Sequence, residues 1–284
     1  MQIITNIPKH HYEVFGSLGE FAKYALANEA PKSSNKAETF DDGVSWQGGT
    51  KTLSEACDVA RNGYGAIRSD VDSILDKVTE RLDMKFSEHY VTEYATSGSS
   101  VDMGRFVTGE PECMIEFLPE SSATMGRVVK IIIAGTASAS ISASHIIARG
   151  VAVVALLETI HKMGVGVELW WESCIEGNDG RAYSTVVKLH DSNDHLDIDS
   201  VMFSMAHPAM LRRLTFSVQE KSATASEQRA TSVGSGYGYP HDMAYTKIQD
   251  YDVVVEKLQD GRGDIVKDPF AWVLTTVQGL GLAE

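Results

Sequence analysis

The chain has 284 residues, a hydrophobic fraction of 43% and a formal net charge of -14. That length and apolar content suffice for one large domain or two smaller ones with a normal core, and the 23% of charged residues are too dispersed for a disordered polyelectrolyte. The acidity excludes general adhesion to duplex nucleic acid or an anionic membrane, although a local basic groove with aromatic platforms remains compatible with it.

The N-terminal stretch MQIITNIPKHHYEVF lacks a basic region followed by an apolar run and a small-residue cleavage site, so no signal peptide is expected. An extended entry leads to a short strand near Tyr12–Phe15. Ser17-Leu-Gly-Glu20 is a capping box for a helix through Phe21, Tyr24, Ala25 and Leu26 that ends at Asn28. Ala30 to Gly43 reads as a polar loop. Thr52-Leu-Ser-Glu55 opens a second helix through Leu53, Ala56, Cys57 and Ala60, with Gly63 as its terminator. A longer amphipathic helix follows from Ala66 to Met84. From Phe86 to Pro119 the period changes to strands and loops, with an extended Met114 to Leu118.

The segment Arg127 to Glu172 organises the fold. Val128 to Ala134 is a strand of β-branched residues, followed by a small-residue loop. A helix over Ala143 to Met163, capped by Ser142 or Ser144, leads to a second apolar run, Val165 to Trp171. Apolar runs on both sides of a crossover helix indicate parallel strands buried on both faces, a βαβ unit. Arg181 to His190 is a third core strand. Asp197 or Asp199 caps a helix over Ser200 to Leu211 that Pro208 kinks or stops near His207. Leu214 to Lys221 alternates like a fourth strand. Ser222 to Pro240 is a Ser/Thr/Gly-rich loop expected to be mobile, Asp250 to Leu258 a short helix, and Asp268-Pro269 caps a last helix over Phe270 to Leu280. The expected fold is α/β, a parallel or mixed sheet on a βαβ core with N-terminal helices. Residues 1–120 would form a helical and short-strand region and residues 121–284 the core, as two units or as one compact domain.

No apolar run reaches the length of a membrane span, and no membrane association is expected. Cys57, Cys113 and Cys174 are odd in number and far apart, which argues against a disulfide scaffold or a CxxC site and for a reduced, cytoplasmic setting. The histidines show no HExxH spacing. His145 and Arg149 share a helix face and read as a polar stripe rather than a phosphate contact. No Walker, GxGxxG or nucleophile-elbow motif occurs in the right setting. Glu110, Glu112 and Glu116 beside Cys113 read as solvated surface. The expectation is therefore no enzyme, no catalytic residues, no cofactor and no metal.

The loop Thr136-Ala-Ser138-Ala-Ser140 sits where α/β proteins bind ligands, after a core strand. Strand, loop, helix and second strand resemble a von Willebrand factor A-like domain, a family that binds a divalent metal through Asp-x-Ser-x-Ser. Ser138 and Ser140 match that motif, but Thr136 stands at the Asp position. Without the charged ligand most of the attraction for a hard cation is lost, so the resemblance implies a fold more than a metal.

Local charge marks another region. Arg212 to Pro240 carries Arg212, Arg213, Lys221 and Arg229 against Glu220 and Glu227, a balance of +2 on a chain of -14, and ends with Tyr237 and Tyr239. Cations that neutralise phosphates beside rings that stack bases are what a single-strand binder needs, so these six residues are the candidate nucleic-acid site. Trp46, Lys51, Arg61 and Tyr64 form a weaker set of the same kind.

FGSLGEFAKYA (15–25), SWQGGTKTLSEACDVARNGY (45–64), FVTGEPECMIEF (106–117), HIIARGVAVVALLETIHKMGVGVELWW (145–171) and HPAMLRRLTF (207–216) together resemble a bacteriophage protein family. Its size, acidity and layout are similar to the Drc-type single-stranded-DNA-binding RNA polymerase cofactors of short-tailed phages. The resemblance implies preferential binding of single-stranded DNA, self-association along it, recruitment of a phage RNA polymerase, and residence in the cytoplasm of the infected bacterial host. It carries over no site residues. The rival expectation is a protein-interaction module of von Willebrand A type without a metal site.

Overall fold

The structure, a computed structural model, describes residues 1–7, 9–27, 37, 46–82, 90–98, 100–119, 127–177, 180–194, 196–222, 237–258 and 263–283. The chain opens with strands β1 (Gln2–Ile7) and β2 (His10–Phe15), then helix α1 (Leu18–Ala27). The Glu20 backbone N–H donates to Ser17 Oγ at 3.1 Å, so the first capping box forms. Thr52 and Glu55 cap α2 (Leu53–Asn62) from both directions, with Glu55 N–H donating to Thr52 Oγ1 at 3.1 Å and Lys51 N–H to Glu55 Oε2 at 2.7 Å. Helix α3 (Arg68–Arg81) follows one 3-10 turn, Gly65–Ile67. A small antiparallel sheet then joins β3 (Tyr90–Ala95), β4 (Ser100–Val101) and β5 (Met114–Pro119), with a short helix α4 (Met103–Thr108) that the sequence reading did not anticipate.

The expected βαβ unit is present as β6 (Val128–Ala134), α5 (Ala143–Lys162) and β7 (Gly166–Glu176), with β6 and β7 parallel and Val128 opposite Gly166. Ser142 is the cap of α5, and its Oγ accepts from the His145 backbone N–H. Strand β8 (Ala182–His190) returns antiparallel to β7. Helix α6 (Ile198–Ala206) stops before Pro208, as a proline without an N–H requires. After it come a π-helix (Met210–Thr215), α7 (Phe216–Lys221), β9 (Tyr239–Pro240), a 3-10 turn (Tyr245–Lys247), β10 (Val253–Val255), α8 (Asp264–Lys267) and α9 (Pro269–Gly279).

Two expected elements are corrected. Leu214 to Lys221 is helical, not a strand, and its alternation of Leu214, Phe216 and Val218 misleads because both Leu214 and Val218 are buried on one helix face. Asp250 to Leu258 holds not a helix but β10, parallel to β6 with Val253 opposite Ile131, and its Val253-Val254-Val255 is buried, exposed, buried.

The central sheet has seven strands in the order β1-β2-β8-β7-β6-β10, with β9 continuing beside the end of β7. It is mixed: β2/β8, β7/β6 and β6/β10 are parallel, and β1/β2 and β8/β7 antiparallel. The fold is therefore α/β, and residues 1–82 are not segregated from the core: β1 and β2 extend its sheet, while Phe21, Cys57 and Val71 share one apolar cluster with Leu156, Trp171 and Phe203; β3, β4 and β5 form a sheet of their own. Helix α5 has the length and composition to cross a membrane, yet 72% of its most apolar window is buried within the protein. Gly150 lets it touch α6, since a Cβ there would lie 2.4 Å from Ala206 Cα. The opposite sheet face is covered by Met243, Ala244 and Tyr245 over Tyr12, Trp170, Cys174 and Val186.

Candidate functional site

At the carboxyl ends of β6 and β7 lies a cleft of about 320 Å³. Its floor is Thr136, Ala137 and Ser138 after β6, with Ser173 and Ile175 from β7; its walls are Trp46, Arg212, Phe216, Tyr237 and Tyr239. The position is the one that parallel sheets offer to ligands. Two regions distant in sequence meet here, the Thr136–Ser140 loop and the aromatic end of the segment Arg212 to Pro240.

The rings form a continuous wall. Phe216 and Tyr237 stack with centroids 3.7 Å apart and planes 6° apart, and Trp46 lies 6.3 Å from Phe216. The Arg212 guanidinium sits 4.4 Å from the Trp46 ring centroid. Trp46 Nε1–H donates to Ala139 O at 3.3 Å, which ties the aromatic wall to the loop. Among the described residues no carboxylate lines the cleft and Arg212 is the charged group that does, on a chain whose net charge is -14.

The six sequence-predicted residues fare differently. Arg212 and Arg213 are not surface cations: their residues are 1% and 0% exposed. Arg212 donates to Trp46 O at 2.6 Å and to Ile141 O; burial lowers its pKa to about 10. Arg213 donates to Ala37 O, Gln47 Oε1, Thr50 O and Lys51 O at 2.6 to 3.0 Å. The correction has a physical reason. The π-helix carries both guanidiniums inward, where they satisfy backbone carbonyls and the Gln47 side-chain oxygen. Arg212 still reaches the cleft edge, whereas Arg213 does not line it.

Lys221 is half-buried and donates to Ala25 O at the end of α1, so it too serves packing. Tyr237 lines the cleft, and its hydroxyl donates to Glu220 Oε1 at 2.6 Å. Tyr239 is 56% exposed at the rim. Arg229 and the greater part of the expected mobile loop, 223–236, lie outside the described residues. Of the weaker set, Trp46 belongs to the cleft; Tyr64 instead packs edge-on against His207, with centroids 4.7 Å apart. Phe216 was missed because it was read as a strand residue.

The loop resembling a metal motif is tied up internally. The Thr136 hydroxyl accepts from Cys174 N–H at 2.8 Å and donates to Cys174 O at 3.1 Å, and Ser138 Oγ lies 3.0 Å from Ser140 Oγ. Thr136 thus stitches the loop to β7 where the related motif carries a carboxylate. Arg149 is buried, and donates to Ala134 O at 2.7 Å, a structural role for the stripe it shares with His145.

A family model described as "Domain of unknown function (DUF7192)" matches residues 3–284. The chain belongs to the DUF7192 family. Searches of curated proteins and of solved structures each returned no match. DUF7192 membership thus extends over both the sheet and the cleft, and it brings no activity with it.

Proposed function

We propose that this DUF7192 protein is a phage-encoded, non-catalytic single-stranded-DNA-binding protein that acts as a cofactor of a phage RNA polymerase, and that the cleft at the strand ends receives an unpaired base. The observation that carries the reading is the cleft's composition: Trp46, Phe216, Tyr237 and Tyr239 around Arg212, with no carboxylate among the described lining residues. Aromatic faces take any base by stacking, and a guanidinium at the edge suits an electron-rich or anionic guest. The family resemblance described above supports the same reading and supplies the polymerase, self-association and host-cytoplasm parts of it.

Fluorescence anisotropy with a labelled single-stranded oligonucleotide and its duplex, at low and moderate salt, tests the proposal. Tighter, salt-sensitive binding to the single strand is expected. Trp46→Ala and Tyr237→Ala should each weaken it by about 1–3 kcal/mol, the typical loss of one base-stacking face. Equal affinity for duplex and single strand, or no binding at low salt, overturns it.

A second reading, a protein-interaction module of von Willebrand A type, rests on the Ser138 and Ser140 hydroxyls presented after β6. It predicts capture of a protein partner that Ser138→Ala with Ser140→Ala abolishes, without any effect of oligonucleotide.

A further inference from the structure

The sheet face opposite the helices carries a second cluster of chemical groups. Alternation along β7 turns Ser173 and Ile175 into the cleft and sends Glu172 and Cys174 to the other face. There β2 contributes His10, and β8 contributes Ser184, which is paired in register with Cys174. His241, just after β9, approaches from the covering segment, with its N–H donating to Cys174 O at 3.0 Å.

We infer that this cluster is a divalent transition-metal site, suited to Zn²⁺, with His10 Nε2, Cys174 Sγ and a Glu172 carboxylate oxygen as ligands and His241 Nδ1 as the fourth.

The distances fit. One donor atom each of His10, Glu172 and Cys174 lies within 4.8 Å of the others. Cys174 Sγ is 4.0 Å from His10 Nε2 and 3.9 Å from His241 Nδ1. In tetrahedral zinc the S···N edge is about 3.6 Å, given metal bonds of about 2.3 and 2.0–2.1 Å. A contraction of a few tenths of an ångström brings the two sulfur–nitrogen pairs to coordination distance, while His241, which lies outside the 4.8 Å set, has further to move.

The mixed nitrogen, sulfur and oxygen donors also fit zinc better than a hard cation such as Mg²⁺. Glu172 and Cys174 are both 0% exposed. The ion binds as Cys174 and Glu172 release one proton each to solvent, and thiolate, carboxylate and Zn²⁺ sum to zero charge in the buried site.

The surroundings orient the ligands. The Glu172 carboxylate accepts from Ser184 Oγ, from Ala244 N–H at 3.0 Å and from Tyr245 N–H at 3.1 Å. His241 Nδ1 donates to Asp242 O at 3.0 Å in the metal-free protein, and Nε2 lies 3.4 Å from Glu176 Oε2; metal binding replaces the bond to Asp242 as the ring proton moves to Nε2, where Glu176 accepts it. Ser184 Oγ, now 3.0 Å from His10 Nε2, keeps its bond to Glu172 and releases the imidazole.

The test uses the full chain without a polyhistidine tag, purified without chelator. Elemental analysis should find close to one zinc per chain. After removal of metal, Co²⁺ titration should produce a thiolate-to-cobalt charge-transfer absorption, and Zn²⁺ should raise the Tm. Cys174→Ser should lose the charge-transfer absorption. His241→Ala, which changes a side chain 41% exposed, should keep the fold and weaken Co²⁺ binding at least tenfold. If Cys174→Ser does not fold, the wild-type titration with His241→Ala decides. Wild-type protein that shows neither the cobalt absorption nor a Tm shift with Zn²⁺ overturns the inference, as does a cobalt signal unchanged in His241→Ala and Cys174→Ser.

Discussion

Buried polar residues decide more here than their number suggests. Arg213 holds four acceptors from the segment around Ala37 to Lys51, and truncation leaves them without that donor. Each buried orphan costs about 1–3 kcal/mol, so Arg213→Ala should destabilise the fold by about 3–5 kcal/mol in urea denaturation. Arg213→Lys should recover little, because one ammonium cannot reproduce the fork of donors. His207 gives a pH signature. It is buried against Phe203 and Tyr64, and accepts Ala209 N–H at Nδ1. Burial lowers its pKa from 6.5 to about 4. The unfolded chain therefore binds the proton more readily, and the stability contributed by neutral His207 is full above pH 6.5 and is lost as pH falls towards 4. The Tm should fall over that window, and less steeply in His207→Asn, with His10 adding its own share in the same direction. The arginines' burial was illegible in sequence. A cation beside a Ser/Thr/Gly tract reads as surface, and only the partners, 71 to 176 positions away in the chain, reveal the interior role.

At the level of elements, the pieces that could be read were those whose local signals agree. Both capping boxes formed, and the βαβ unit stands where its β-branched runs and serine cap placed it. Elements buried on most sides misled, because a fully apolar environment erases periodicity. The helical stretch Met210–Lys221 is the example, and its π geometry shows in Thr215 Oγ1 donating to Met210 O at 2.8 Å. The cleft was half legible: the Thr136–Ser140 loop and Tyr237 were singled out separately, but nothing local joins them, and the histidine–cysteine cluster has no compact spacing at all. Two substitutions test the element packing. Thr52→Ala removes the cap hydroxyl of α2 and should cost about 1 kcal/mol. Gly150→Val forces a side chain into Ala206 backbone and should cost several times more, as a drop in denaturation midpoint, since cores resist overpacking.

Across the whole molecule, the sheet mixes short and long loops of chain. Its centre, β6 to β8, is contiguous in sequence, but the flanks are not: β2 pairs with β8 through His10 opposite Ala182, and β10 pairs with β6 through Val253 opposite Ile131. On the ribosome, the β1–β2 pair must therefore wait for the emergence of β8 before the free edge of β2 has a partner, and one edge of the centre stays open until β10 has been made. Synthesis at about 5–20 residues per second makes that wait several seconds or more, during which strand edges are exposed. Nascent chains arrested after residue 222 should accordingly be held by chaperones and be cut readily by protease, whereas chains released with all strands should resist it.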